Sequence, residues 1–157
     1  NDTLTLLKSI DFSKVDIITI AYGTNDFTGD IHLENSDNNK DVSRFAGALR
    51  YSIETLLNAY PHLKIFVCTP IYRFWLDDSG VFTEDSDTHE NERGAKLTDF
   101  VAKTKEVAEE YHVPYIDNYN IGMNKYNRSV YFSSTDGTHP ILAGCDLMAA
   151  NIAKKLF

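Results

Sequence analysis

Apolar residues follow two rhythms along this chain. The run from Val15 to Ala21 (Val-Asp-Ile-Ile-Thr-Ile-Ala) is short, β-branched and ended by a glycine turn. That pattern predicts a buried strand over 15–21. Residues 64–69 (Lys-Ile-Phe-Val-Cys-Thr) repeat it and stop at Pro70, and 114–117 form a shorter third run. Between these runs the period changes to that of a helix. Phe45, Leu49, Ile53, Leu56, Leu57 and Tyr60 recur every three or four residues, which predicts a helix over 41–59 closed by Pro61. Leu97, Phe100, Val101, Thr104, Val107, Ala108 and Tyr111 predict a second over 95–111. Cys145, Met148, Ala149, Ile152 and Leu156 predict a last one over 140–156, with Pro140 as its first residue. A short opening helix spans 1–10, capped by Asp2 or Thr3.

Strand and helix therefore alternate, which implies a parallel sheet with right-handed crossovers. Such sheets carry their sites beyond the carboxyl ends of the strands. Three polar stretches, 27–40, 71–93 and 118–138, interrupt the pattern. A loop as long as 118–138 in a compact domain is usually functional or mis-assigned. No repeat or linker divides the chain, so residues 1–157 read as a single domain.

Composition narrows the partners. A formal charge of -8 and a pI of about 5.0 argue against nucleic acid or an anionic membrane. No apolar run is long enough to span a bilayer. Cys68 and Cys145 sit in apolar contexts and are expected to be small buried side chains. The acidic run Asp77, Asp78, Glu84, Asp85, Asp87, Glu90 lacks the spacing of a calcium loop and reads as a solvated lid. The other histidines, 32, 62, 89 and 112, show no metal-ligand spacing. Asn1-Asp2-Thr3 and Asn127-Arg128-Ser129 match the glycosylation pattern, which short chains often do by chance.

Candidate chemistry gathers at two places. Asp136-Gly137-Thr138-His139-Pro140 sets a carboxylate three residues from an imidazole across a flexible turn. The carboxylate can fix one imidazole tautomer and stabilise the imidazolium. Pro140 would put His139 at a helix start, where the dipole favours the neutral ring. A plain turn and helix cap also fits these five residues. Gly23-Thr24-Asn25-Asp26 follows the first buried strand, where the Asn25 amide could donate to a developing oxyanion. A strand-capping turn fits that segment too. Tyr72, Phe74 and Trp75 follow the second strand; they could line an acyl pocket, stack on a sugar ring, or pack under a loop. Arg73 could bind an anion or pair with a loop acid.

Taken together and in this order, the Gly23–Asp26 and Asp136–Pro140 segments resemble the third and last motif blocks of the SGNH hydrolases, also called GDSL esterases and lipases. The resemblance runs from about Leu4 to Phe157. It implies a flavodoxin-like three-layer α/β/α sandwich with a parallel sheet, incomplete at the N-terminus. It implies ester hydrolysis through a serine acyl-enzyme with no cofactor and no metal. His139 would be the general base, Asp136 its carboxylate and Asn25 an oxyanion-hole amide. Gly23 would shape the loop beside the substrate, and Asp26 would hold the turn. Tyr72 and Trp75 are carried as substrate-binding candidates, and the polar loops suggest a small acyl ester, such as an O-acetylated carbohydrate.

One departure stands out: none of the serines lies in the family's Gly-Asp-Ser block. Ser133 and Ser134 are near His139 in sequence, but no strand-to-helix elbow presents them. The expectation is therefore a carboxyl-terminal portion of a longer enzyme. Its 15–21 strand would pair with the missing segment or with a second copy. The alternative is a catalytically inactive binding module on the same fold.

Overall fold

The structure is a computed structural model describing residues 2–157, with side chains from Thr5 onward. Its opening elements are α1 (Asp2–Ser9), β1 (Ile17–Ala21), α2 (Thr24–Thr28), α3 (Phe45–Ala59) and β2 (Lys64–Cys68). A hairpin of β3 (Phe74–Leu76) and β4 (Phe82–Asp85) follows, then α4 (Leu97–Glu110) and β5 (Tyr115–Ile116). The chain closes with α5 (Arg128–Tyr131), β6 (Phe132–Ser133), β7 (Asp136–Pro140) and α6 (Leu142–Leu156). The caps expected at Asp2 or Thr3 and the Asn1 glycosylation motif lie outside the described side chains.

The three expected strands form one parallel sheet in the order β1-β2-β5. Ile17 stands opposite Lys64, Ala21 opposite Cys68, and Cys68 opposite Ile116. The fold is thus α/β with a parallel sheet. Ile20, Ile65, Val67 and Ile116 are buried, as a sheet packed by helices requires. The apolar stripes of α3 and α4 meet that sheet: Phe45, Leu49, Ile53, Leu56, Leu97, Phe100, Val107 and Ala108 are buried, all in one core. Phe100 joins the layers, its ring 5.1 Å from Phe45 and 5.9 Å from Phe27. Arg50, also buried, ties the polar 27–40 stretch to this core. It pairs with Glu34 and, at 2.7 Å, with Glu110, and donates to the Asn39 carbonyl at 3.0 Å.

Several boundaries differ from the sequence reading. The 41–59 helix begins at Phe45, because the Asp41 carboxylate caps a turn by accepting the Ser43 N–H at 3.0 Å and hydroxyl at 2.7 Å. The 71–93 stretch is an anchored hairpin rather than a loose lid. Its turn is built on Asp77 Oδ1, which accepts the Ser79 and Val81 N–H groups at 2.9 Å. The hairpin base is fixed by the buried Ser86 hydroxyl, which donates to the Arg73 carbonyl at 2.6 Å. Tyr72, Phe74, Met123 and Phe132 form a second apolar cluster beneath it. The last helix starts at Leu142, since Pro140 is still paired with Phe132 in the β6–β7 ribbon. Cys68 is buried as expected, but Cys145 is exposed. Gly144 alone is buried in α6, although the helix is rich in apolar residues. Leu147 and Met148 pack against the second cluster, but most other apolar residues of α6 are exposed, and no described strand pairs with the edge of β1 away from β2.

Candidate active site

The first half of the site is built where β1 ends. Gly23 turns the chain with φ at +120°, and a Cβ there would stand 2.7 Å from the Pro70 ring. Both the backbone and the space therefore require glycine. The Asp26 carboxylate accepts the Gly23 N–H at 3.2 Å and so holds the turn. Burial pushes the Asp26 carboxyl above its ordinary value, against the pull of its own and the Gly23 N–H groups. This bracket sets Asn25 in the first turn of α2, exposed, with its amide unengaged by any described residue. A cavity of about 290 Å³ opens beside it, lined among others by Gly23, Asn25, Thr69, Asn118 and Met148. Gly23 and Asn25 follow β1, Thr69 follows β2 and Asn118 follows β5, so the cavity lies at the carboxyl ends of all three strands, with Met148 of α6 on its wall. The buried Thr69 hydroxyl accepts the Asn118 N–H at 2.9 Å and stitches the floor together.

The second half is β7. The Asp136 Oδ2 atom lies 2.7 Å from His139 Nδ1, while Oδ1 accepts the Thr138 and His139 N–H groups at 2.7 and 3.1 Å. Burial pulls the Asp136 carboxyl up, but the Thr138 N–H, the His139 ring and the His139 N–H outweigh it. The carboxyl is left below its ordinary value. A carboxylate there selects the tautomer with the proton on Nδ1 and leaves Nε2 as the acceptor. The His139 side chain is 83 % exposed, so Nε2 is open to a reactant. Gly137 lets β7 lie directly on β3: a Cβ would meet the Phe74 carbonyl oxygen at 2.1 Å. His139 is not at a helix start, because α6 begins three residues later. Asp136, not a helix dipole, governs the ring.

Arg73 connects the halves. It is 8 % exposed, and its Nη1 donates to Thr28 Oγ1 in α2 at 2.8 Å; burial pushes its guanidinium below the ordinary value, against the upward pull of the Asp136 charge. Its sequence allows Arg73 an anion or a loop acid as partner, and no carboxylate pairs with it among the described residues. The two aromatic candidates part company. Tyr72 is buried, donating to Asp85 Oδ2 at 3.3 Å, and is absent from the Asn25 cavity wall. Burial, then the Asp85 charge, pushes its phenol up. Trp75 lines a separate cavity with Arg73 and His89. Ser133 and Ser134 line a third, and the Ser133 hydroxyl sits 3.4 Å from Thr135 Oγ1. Among the described residues no three His, Cys, Asp or Glu side chains are grouped to hold a metal ion, and no helix is long and apolar enough to cross a membrane. The Asn127 amide of the second glycosylation motif is engaged, donating to the Gly122 carbonyl at 2.7 Å.

The family profile described as GDSL-like lipase/acylhydrolase matches residues 3–147, which include both halves of this site. The chain belongs to the GDSL-like lipase/acylhydrolase family. Its fold is similar to that of several solved structures. A protein from Lactobacillus plantarum is 24% identical with a TM-score of 0.80, covering 98% of this chain and 71% of its own. A possible lipase from Chitinophaga pinensis is 18% identical with a TM-score of 0.73, covering 99% and 77%. A GDSL-like lipase from Bacteroides thetaiotaomicron is 17% identical with a TM-score of 0.63, covering 98% and 68%. No curated protein matches the chain. In this GDSL-like acylhydrolase the glycine bracket around Asn25 and the carboxylate grip on His139 were visible as motifs. The Arg73 link was not, because a guanidinium's burial depends on the hairpin folded over it.

Proposed function

We propose that this chain is the base-and-oxyanion portion of a carboxylic ester hydrolase of the SGNH type. The observation that carries the reading is the 2.7 Å contact of Asp136 with an imidazole whose other nitrogen faces solvent. In the proposed cycle a serine hydroxyl, contributed by sequence outside these residues, gives its proton to His139 Nε2. Its oxygen then attacks the ester carbonyl. Asp136 holds the ring and stabilises the imidazolium. The Asn25 amide, with two backbone N–H groups, receives the negative charge on the carbonyl oxygen. His139 returns the proton to the departing alcohol, and water repeats the sequence to release the acid. No metal or cofactor enters these steps. The polar surroundings of Asn25 favour a small acyl group, such as the acetyl of an O-acetylated carbohydrate.

The free edge of β1 supports placing the serine-bearing segment there as a further strand, since an unpaired hydrophobic edge invites pairing. A fluorophosphonate probe tests the reading on the protein extended to include the residues ahead of Asn1. The expected result is one labelled serine ahead of Asn1, with labelling lost in His139→Ala. No labelled serine, or a labelled Ser133 or Ser134, would contradict it and favour the inactive binding module.

A further inference from the structure

The cavity of about 300 Å³ at the far end of α2 is lined by Thr28, Asp30, Arg73, Trp75, His89 and Glu92, among others. Thr28 is three residues along the helix from Asn25, about 4.5 Å of rise. The cavity is therefore a neighbour of the Asn25 site, and it is at the small end of ligand pockets.

Its donors and acceptors are arranged by depth. Arg73 is 8 % exposed, and its Nε is buried with no hydrogen-bond partner. Its one side-chain hydrogen bond among the described residues goes to Thr28 Oγ1. A buried guanidinium with unused N–H groups is costly unless something completes it; Nε has essentially no accessible surface, so a ligand in the cavity would meet Nη2, for which no described residue is a partner. The Trp75 ring is already engaged, with the Arg73 guanidinium 4.5 Å from its centroid and the His89 ring stacked at 4.0 Å. The Asn91 amide is also spent, on the Phe27 carbonyl and the Arg93 and Ala95 N–H groups. Acceptors remain at the rim. Glu92 is exposed, and Asp30 uses only Oδ1, for the Glu92 N–H at 2.8 Å.

This layout excludes most ligand classes. A small anion would pass the rim carboxylates of Asp30 and Glu92, with Glu90 paired to Lys96, to reach one guanidinium. A cation would end against that guanidinium. An apolar group would desolvate both. A neutral polyol meets each requirement, giving ring or hydroxyl oxygens to Arg73 and hydroxyl protons to Asp30 and Glu92. We propose that this cavity is a subsite for one sugar ring, the alcohol part of the ester, recognised by hydrogen bonds rather than by stacking on Trp75. The proposal rests on the ester-hydrolase reading for its purpose, though not for its test.

Trp75 is the single tryptophan, so its fluorescence reports occupancy of this cavity. The chain is titrated with methyl β-D-xylopyranoside and, at matched ionic strength, with succinate. A saturable Trp75 change with the sugar and none with succinate is expected. Arg73→Gln should abolish it, and Glu92→Gln, an exposed change that leaves the fold intact, should weaken binding about tenfold. No saturable change with the sugar, an equal response to succinate, or unchanged affinity in Glu92→Gln would overturn the proposal. Sugar binding without hydrolysis of p-nitrophenyl acetate by the extended protein would keep the subsite and remove the esterase. Hydrolysis without sugar binding would do the reverse.

Discussion

Asp136 grips His139 twice, through the ring at 2.7 Å and through the backbone N–H at 3.1 Å. One carboxylate thus sets both where the imidazole is and which nitrogen carries its proton. Asp136→Asn keeps the shape but can present an N–H to Nδ1 and favour the wrong tautomer. In the extended protein, kcat on p-nitrophenyl acetate should fall about 10⁴-fold with KM little changed. The Asp136 carboxyl is held below its ordinary 3.8, so it stays charged through mildly acidic conditions. Protonation of Asp136 should not shape the profile above that value.

Asn25 is exposed, and its amide does no structural work among the described residues. Asn25→Ala should leave the thermal midpoint in place while lowering kcat by about 10²–10³, the cost of one oxyanion donor. A fall in thermal midpoint matching the loss of activity would assign Asn25 to the turn instead.

These two predictions concern residues visible in the sequence, and the reason is physical. Gly23 and Gly137 are needed by the backbone itself, through a positive φ at one and a close approach at the other. Their neighbours Asn25 and His139 carry the polar groups those bends present. The buried strands and the α3 and α4 stripes were legible for the same local reason, a period of two or of 3.6. What could not be read was set by distant partners. Pro140 looked like a helix start, but Phe132 draws it into a ribbon. Cys145 looked buried, but α6 turns Leu147 and Met148 toward the second cluster and leaves Cys145 exposed. Tyr72 and Trp75 are three residues apart, yet one sits over the second cluster and the other over α2.

Gly137→Ala tests the seat of His139 without touching its chemistry. The added Cβ would meet the Phe74 carbonyl oxygen at 2.1 Å, and backbone cannot yield as a side chain can. The expected cost is about 1–3 kcal/mol of stability, read as a lower thermal midpoint, together with a lower kcat.

Asp41 makes stability depend on acid. The Asn35 amide, then Ser43 through its hydroxyl and N–H, push its pKa down to about 2 from 3.8. A depressed carboxyl stabilises the fold fully above its unfolded value and loses that contribution as pH falls through the folded value. The urea midpoints of the natural chain and Asp41→Asn should therefore differ at pH near 6 and converge between 3.8 and about 2. A gap that does not narrow over that window would show that the carboxylate charge is not what the turn uses.

The central claim is that His139, oriented by Asp136, is the base for ester cleavage. It is tested most directly by p-nitrophenyl acetate turnover in the protein extended ahead of Asn1, natural against His139→Ala. The account predicts a loss of about 10³-fold or more in kcat with the fold intact. Equal rates for the two proteins would contradict it.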